Sequence, residues 1–291
     1  MPSNLRAPRL LPVLALLAGA GMWGVIWYPM RLLDAAGLNG VWLTLVLYAS
    51  ALAFSLPRSA ASLGEFRAAP ATLAALALVG GWTNVAFIEA VLHGDIVRVL
   101  LLFYLSPLWA TVLGWLVLGE RVSLRSLASL ALAMGGALLM LWNPHTHGAW
   151  PRGASDWFAI SSGFAFAAGN VLVRRMEEIS VTAKSLAIWL GVLIVAVGMI
   201  ALLHLAPPPA GAGAFGGAVA LGLFGILVMT LLVQYGVSHM PVHRSAVIML
   251  FELVAGAVSQ QLLTTEQVGA REWAGGALII AGAYLSAVGS A

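Results

Sequence analysis

Val91–Leu138 reads VLHGDIVRVLLLFYLSPLWATVLGWLVLGERVSLRSLASLALAMGGAL, and Val237–Tyr284, 146 residues on, reads VSHMPVHRSAVIMLFELVAGAVSQQLLTTEQVGAREWAGGALIIAGAY. Laid over each other without a gap, His93 falls on His239 and Arg98 on Arg244. Glu120 falls on Glu266, Val122 on Val268, Arg125 on Arg271 and Gly136 on Gly282. Apolar matches arise by chance in a chain this apolar. Coincidence of its scarce charged letters at one shift does not. A weaker match sets Arg31 against Arg174. The two halves are therefore repeats of one unit.

The unit belongs in a membrane. Of 291 residues, 61% are hydrophobic and 9% charged, with mean hydropathy +0.97. A soluble domain carries about 25% charged residues, so this chain cannot cover a water-facing surface. Charges and Pro/Gly clusters cut it into ten apolar segments, near 10–33, 40–56, 70–92, 96–118, 124–142, 157–174, 183–205, 215–237, 245–263 and 270–288. Most fit the roughly 20 residues that cross a bilayer core as a helix. They are apolar throughout rather than alternating with period two, which strongly favours helices over a barrel.

The expected fold is an all-α integral membrane protein of ten transmembrane helices. With five spans per half, an odd number, the second half runs with opposite polarity. The result is a 5+5 inverted-topology repeat, with halves at 1–143 and 157–291 and a periplasmic linker at 144–156. Such repeats are characteristic of secondary transporters, whose site lies near the midplane between the halves.

The run from Leu10 to Leu33 exceeds the roughly 7–15 residues of a signal-peptide core and reads as a retained first span. A cytoplasmic N-terminus places ten Lys/Arg on one side (Arg6, Arg9, Arg58, Arg67, Arg121, Arg125, Arg174, Arg175, Lys184, Arg244) and four on the other (Arg31, Arg98, Arg152, Arg271). The positive-inside rule then puts both termini in the cytoplasm.

Several function classes fall away. There is no cysteine, hence no disulfide or thiolate chemistry. The net charge of +3 is dispersed, so no nucleic-acid partner is expected. GAGMWG, Gly19–Gly24, matches a dinucleotide fingerprint but lies inside a span with no preceding strand. His145 and His147 lack further ligands for a metal, and no phosphate-binding loop for ATP is present. No cofactor and no enzyme activity are expected. An intramembrane enzyme would need convergent catalytic groups; a structural membrane protein would need no polar interior. These remain the alternatives to a transporter.

FYLSPLWATVLGWLVLGERV (103–122) and MLFELVAGAVSQQLLTTEQV (249–268), with half-openings GMWGVIWYPMRLL (21–33) and FAAGNVLVRRMEE (166–178), resemble the drug/metabolite transporter superfamily, EamA type. The resemblance covers essentially the whole chain and is strongest at Ser106-Pro107 and Gly119-Glu120. It implies ten helices, a bacterial-type inner-membrane location, and export or exchange of small organic solutes, amino acids among them, without ATP. It also implies a central site drawn from helices one, three, four, six, eight and nine. Many members carry Glu-Pro in the ninth helix. Here Glu252-Leu253 stands instead, which predicts a straighter helix.

Glu252 is a carboxylate inside a span, a functional-site hypothesis by default. It either binds a substrate ammonium or coupling proton, or accepts hydrogen bonds that fix helix packing. Small residues Ala255, Gly256 and Ser259 share its face. Trp27, Trp82, Tyr104, Ser106, Trp109, Asn84, Asn170 and Gln234, with Trp23 and Thr83, are candidates to line an amphipathic cavity with it. Glu89, His93, Arg98, His239 and Arg244 are gate or relay candidates, or else interfacial polar groups; Arg98 and Arg244 read as snorkelling side chains or anion contacts. Glu120 and Glu266 read as capping or loop ion pairs. Pro107, in the middle of the fourth span, is a hinge candidate because it removes a backbone hydrogen bond. Trp157 and Trp273 belong to the interfacial belt. Ala131/Gly135 and Ala277/Ala281 are expected to bring helices five and ten together as scaffold, and a homodimer surface is left open. The expected partners are a small-molecule substrate and the lipid bilayer, with proton coupling left open.

Overall fold

The computed structural model describes residues 10–38, 40–93, 99, 102–141, 151, 153–263 and 269–288. Among them the only regular structure is helical. The first half comprises α1 (Leu11–Ala35), α2 (Gly40–Ser55) running into a 3-10 segment (Leu56–Gly64), α3 (Glu65–Ala68), α4 (Pro70–His93), α5 (Ser106–Leu118) and α6 (Leu124–Leu141). The second comprises α7 (Ala154–Arg175), α8 (Val181–Leu202), α9 (Ala212–Leu221), a π-helical turn (Gly222–Ile226), α10 (Leu227–Ser238), α11 (Val242–Met249), α12 (Phe251–Leu263) and α13 (Ala270–Val288). Seven helical stretches among the described residues are long and apolar enough to cross a membrane; α5 and α6 are shorter apolar helices.

The halves interlock rather than lie side by side. First-half α1 packs on α12 and α10, α2 and α4 on α8, α5 on α7, and α6 on α13. No hydrophobic gain drives such contacts in lipid, so close backbone approach must supply the attraction. The α6–α13 contact shows how. A Cβ on Gly136 would meet the Gly275 carbonyl oxygen at 2.5 Å, and one on Gly282 would meet the Ser129 carbonyl oxygen at 2.8 Å. Ser129 Oγ also donates to the Gly282 carbonyl at 2.7 Å. Ser129 and Gly275 are 146 residues apart, as are Gly136 and Gly282, so one contact occurs twice about a pseudo-twofold axis.

This corrects the small-residue expectation. Ala131, Gly135, Ala277 and Ala281 are exposed, and nothing lies near a Cβ on Gly135. The contact uses Ser129, Ala133 and Gly136. One residue turns a helix by about 100°, which carries Gly135 to the outer face.

The spans at residues 99–118 and 242–263 are both broken. The first turns at Tyr104–Leu105, and the second at Leu250. Tyr104 and Leu250 are repeat mates. Pro107 therefore is not a mid-helix hinge: it lies in the first turn of α5, after the break, where its missing N–H costs nothing. Nor is the ninth span straighter for want of proline. The Leu253 N–H bonds to the Leu250 carbonyl, three residues back, at 3.1 Å. Non-helical backbone at this depth is tolerated where it lines a cavity.

Glycines face both breaks. A Cβ on Gly24 of α1 would sit 2.5 Å from the Glu252 carbonyl oxygen, and one on Gly163 of α7 would sit 2.5 Å from that of Phe103. Each half's opening helix thus cradles the other half's broken one.

Candidate solute cavity

Helical periodicity aims the lining residues. On α4, Gly80, Thr83, Asn84 and Phe87 share a face; on α7, Phe166, Gly169 and Asn170; on α10, Thr230, Val233 and Gln234. Together with Trp23, Tyr48, Ile188 and residues at the two helix breaks, they enclose a cavity of about 120 Å³. The breaks contribute Phe103, Tyr104, Ser106 and Pro107 on one side, and Met249, Leu250 and Glu252 on the other.

Among the described lining residues Glu252 is the only charged one. Its side chain is hydrogen-bonded to that of Tyr104. The pair bridges the two halves, because Tyr104 belongs to the first break and Glu252 follows the second.

The lining amides differ in what they have left to offer. Asn84 Oδ1 accepts from the Tyr48 hydroxyl at 2.5 Å, and its Nδ2 donates to the Gly80 carbonyl at 2.8 Å. Both polar atoms of this amide thus have a partner inside the protein. Asn170 Nδ2 and Gln234 Oε1 are buried without a hydrogen-bond partner among the described residues. Such groups cost about 1–3 kcal/mol each when left unpaired. Thr230 Oγ1 accepts from Trp189 Nε1 at 3.1 Å, which fixes its position.

Of the sequence candidates, Glu252, Asn84, Tyr104, Ser106, Asn170 and Gln234 meet at the cavity, as do Trp23, Thr83 and Pro107. Trp27, Trp82 and Trp109 do not line it. Trp27 Nε1 donates to Ser259 Oγ at 2.9 Å and joins α1 to α12. Trp82 is 36% exposed, with Nε1 donating to Ser161 Oγ at 3.1 Å. Trp109 stacks edge-on against Phe164, with ring centroids 5.8 Å apart. Trp82 lies off the α4 stripe, whereas Trp27, four residues after the lining Trp23, and Trp109, three after the lining Ser106, share those faces but are engaged by Ser259 and Phe164 instead.

The gate candidates scatter. Glu89 is half-buried and outside the lining. The His93 side chain and Arg98 lie outside the described residues, as do Glu266, His145 and His147. His239 Nδ1 donates to the Tyr235 carbonyl of its own helix at 2.7 Å. Arg244 donates to the carbonyls of Ser286 and Ala287 at 2.7 and 2.9 Å, capping the end of α13 rather than meeting an anion in the cavity. Glu120 does cap: its two oxygens accept from the Val242 N–H at 3.1 and 3.0 Å.

Sequence reasoning missed Tyr48, Phe87, Phe103, Phe166 and Thr230. A usable signal was present for three of them. Phe87 is three residues after Asn84, Phe166 four before Asn170 and Thr230 four before Gln234.

Relatives agree with this architecture. A relative from Archaeoglobus fulgidus (strain ATCC 49558 / DSM 4304 / JCM 9628 / NBRC 100126 / VC-16), described as an uncharacterized transporter, is 26% identical over 215 residues, covering 74% of this chain and 76% of its own. A crystal structure superposes with a TM-score of 0.74 at 16% identity, over 94% of this chain and 96% of the other, a likeness of fold. The EamA-like transporter family model matches residues 10–142 and again 154–288, nearly the full length, and the chain belongs to that family.

Proposed function

We propose that this protein carries small amphipathic solutes, amino acids among them, across a bacterial-type inner membrane by alternating access of the central cavity. The observation that carries this reading is the lone carboxylate of Glu252, held by Tyr104 in an aromatic lining that includes no lysine, arginine or histidine among the described residues. Such a site attracts an ammonium group or a proton. The unpaired Asn170 Nδ2 supplies a donor for a solute carboxylate, and Gln234 Oε1 an acceptor for its ammonium. A volume of about 120 Å³ is close to the ~150 Å³ that accommodates a single benzene ring, which favours one small side chain over a peptide or lipid.

The repeats at 1–143 and 157–291 are the moving units in this reading, and both termini face the cytoplasm. Export is driven by the solute gradient or by protons taken up on Glu252. The lining offers one carboxylate rather than a catalytic set, which favours transport over catalysis. A second copy, if one binds, packs on the outward stripe of Ala131, Gly135, Ala277 and Ala281.

The test is counterflow in proteoliposomes with labelled aromatic, aliphatic and cationic amino acids, with and without a pH gradient. Exchange of at least one amino acid, competed by its unlabelled form, is expected. Exchange of none of them refutes the amino-acid assignment.

A further inference from the structure

Toward the face where the first helix begins and the last one ends, a packed layer of defined composition lies next to the cavity. Four lining residues have a sealing residue exactly one helical turn beyond them. Asn170 is followed by Arg174 and Gln234 by Ser238; Lys184 precedes Ile188 and Val242 precedes Ala246. At 1.5 Å per residue this layer lies about 6 Å below the cavity. Lys184 and Val242 are 1% and 0% exposed. Lys184 Nζ donates to Ser238 Oγ at 3.1 Å, and Arg174 Nη1 reaches the Ser238 carbonyl at 3.4 Å.

The two halves are tied at this layer by two carboxylates, both from the first half, each seated on the start of a second-half helix. Glu65 accepts from the Ser180 N–H at 2.6 Å and from Ser180 Oγ at 2.8 Å. Ser180 is itself the N-cap of α8, its Oγ accepting from the Ala183 N–H at 3.1 Å. Glu120 accepts from the Val242 N–H with both oxygens, and from His243 Nδ1 at 3.0 Å, at the first turn of α11. Helix starts present unpaired N–H groups and a positive dipole end, so each carboxylate completes a cap that its own half does not contain.

The local sequence is built for the second of these. Gly119, with φ +66°, takes the left-handed conformation that ends α5, and the Glu120 N–H turns back to the Gly114 carbonyl at 3.1 Å. This Schellman-type turn points the carboxylate across to α11. A Cβ on Gly114 would lie 3.1 Å from Glu120 Oε2, so a glycine there leaves room for it.

We propose that Glu65 and Glu120 are the latches of the gate on the termini-bearing face: they hold the cavity shut there, and both caps must break for solute to pass. The proposal rests on the alternating-access reading. Its primary readout, however, needs no solute, so its failure is distinguishable from a wrong cargo.

The chain has no cysteine, so reporters can be placed in the otherwise unaltered protein. Ile188→Cys, reconstituted in liposomes, is labelled with a membrane-impermeant maleimide applied at the termini-bearing face. Adding Glu120→Gln or Glu65→Gln is expected to raise the labelling rate about fivefold each, as loss of a cap of ~1 kcal/mol gives. Glu272→Gln, on the surface beside Arg271, leaves the rate unchanged. Equal rates in Glu120→Gln, Glu65→Gln and the reporter parent overturn the proposal. A second variant decides the matter should the glutamine proteins not fold. Glu120→Cys/His243→Cys, oxidised to a disulfide, should lose Ile188→Cys labelling and solute counterflow, with both regained on reduction. Undiminished labelling in the fully oxidised protein overturns the latch.

Discussion

Among the described residues that line the cavity, no cation answers Glu252. Arg244 is satisfied by the carbonyls of Ser286 and Ala287, and Lys184 by Ser238 Oγ. Glu252 has the Tyr104 hydroxyl and the open cavity. A hydrogen bond to a charged group contributes about 1.5–3 kcal/mol. Glu252→Gln should therefore weaken solute affinity by about 10- to 100-fold and flatten the pH dependence of exchange, while expression and thermal stability are kept. Unchanged affinity and pH profile in the folded variant would remove Glu252 from the mechanism. The lining amides should separate in a similar way. Asn170→Ala removes a donor that the protein itself does not use, so a loss of affinity without a loss of melting temperature is expected. Asn84→Ala leaves the Tyr48 hydroxyl without its acceptor, and its effect should appear first as a lower melting temperature in detergent, by about 1–3 kcal/mol of stability.

At the scale of elements, much was legible in the sequence because membrane helices declare themselves by length and polarity. The repeat at a shift of 146 residues recurs in the packing, where Ser129 with Gly282 and Gly136 with Gly275 are one contact seen twice, although the residues that make it are not the ones the small-residue spacing suggests. Helix rotation was harder to read. In a span apolar all round, the hydrophobic pattern does not say which face meets protein and which meets lipid. Depth alone therefore assigns Trp27, Trp82 and Trp109 to the cavity and leaves out Phe87 and Phe166, on the stripes of Asn84 and Asn170. The break in the ninth span was hidden for a related reason. It is set by the packing of Gly24 against Glu252 and by the cavity beside Leu250, and no proline announces it. Two adjacent glycines give a direct test of rotation. Gly136→Ala puts a methyl group 2.5 Å from the Gly275 carbonyl oxygen, and overpacking of this kind costs about 1–3 kcal/mol. Gly135→Ala points into open space and removes a helix-interior glycine, so it should be neutral or stabilising by up to ~1 kcal/mol. Melting curves in detergent should show Gly136→Ala destabilised and Gly135→Ala unchanged or stabilised, a difference of at least about 1 kcal/mol.

For the whole molecule, the interlocking of the halves has a consequence for how it sits in the membrane. An inverted repeat closes on itself only if each half crosses an odd number of times. The segment joining α6 to α7 must then lie on the face opposite both termini. Ten of the fourteen Lys and Arg residues fall on the termini side under that arrangement, which the positive-inside rule assigns to the cytoplasm. Under the same arrangement Glu65, Glu120 and Lys184 fall on the termini side, so the proposed gate would face the cytoplasm. Single cysteines in intact cells test the chain of reasoning at three points. His147→Cys, in the segment between the halves, should react with an impermeant maleimide added outside. Ser3→Cys and Ser290→Cys should react only after the membrane is permeabilised. Labelling of all three from the same side would mean an even number of crossings per half. The two halves could not then be related by inversion, and a latch made by one half on the other could not alternate between faces.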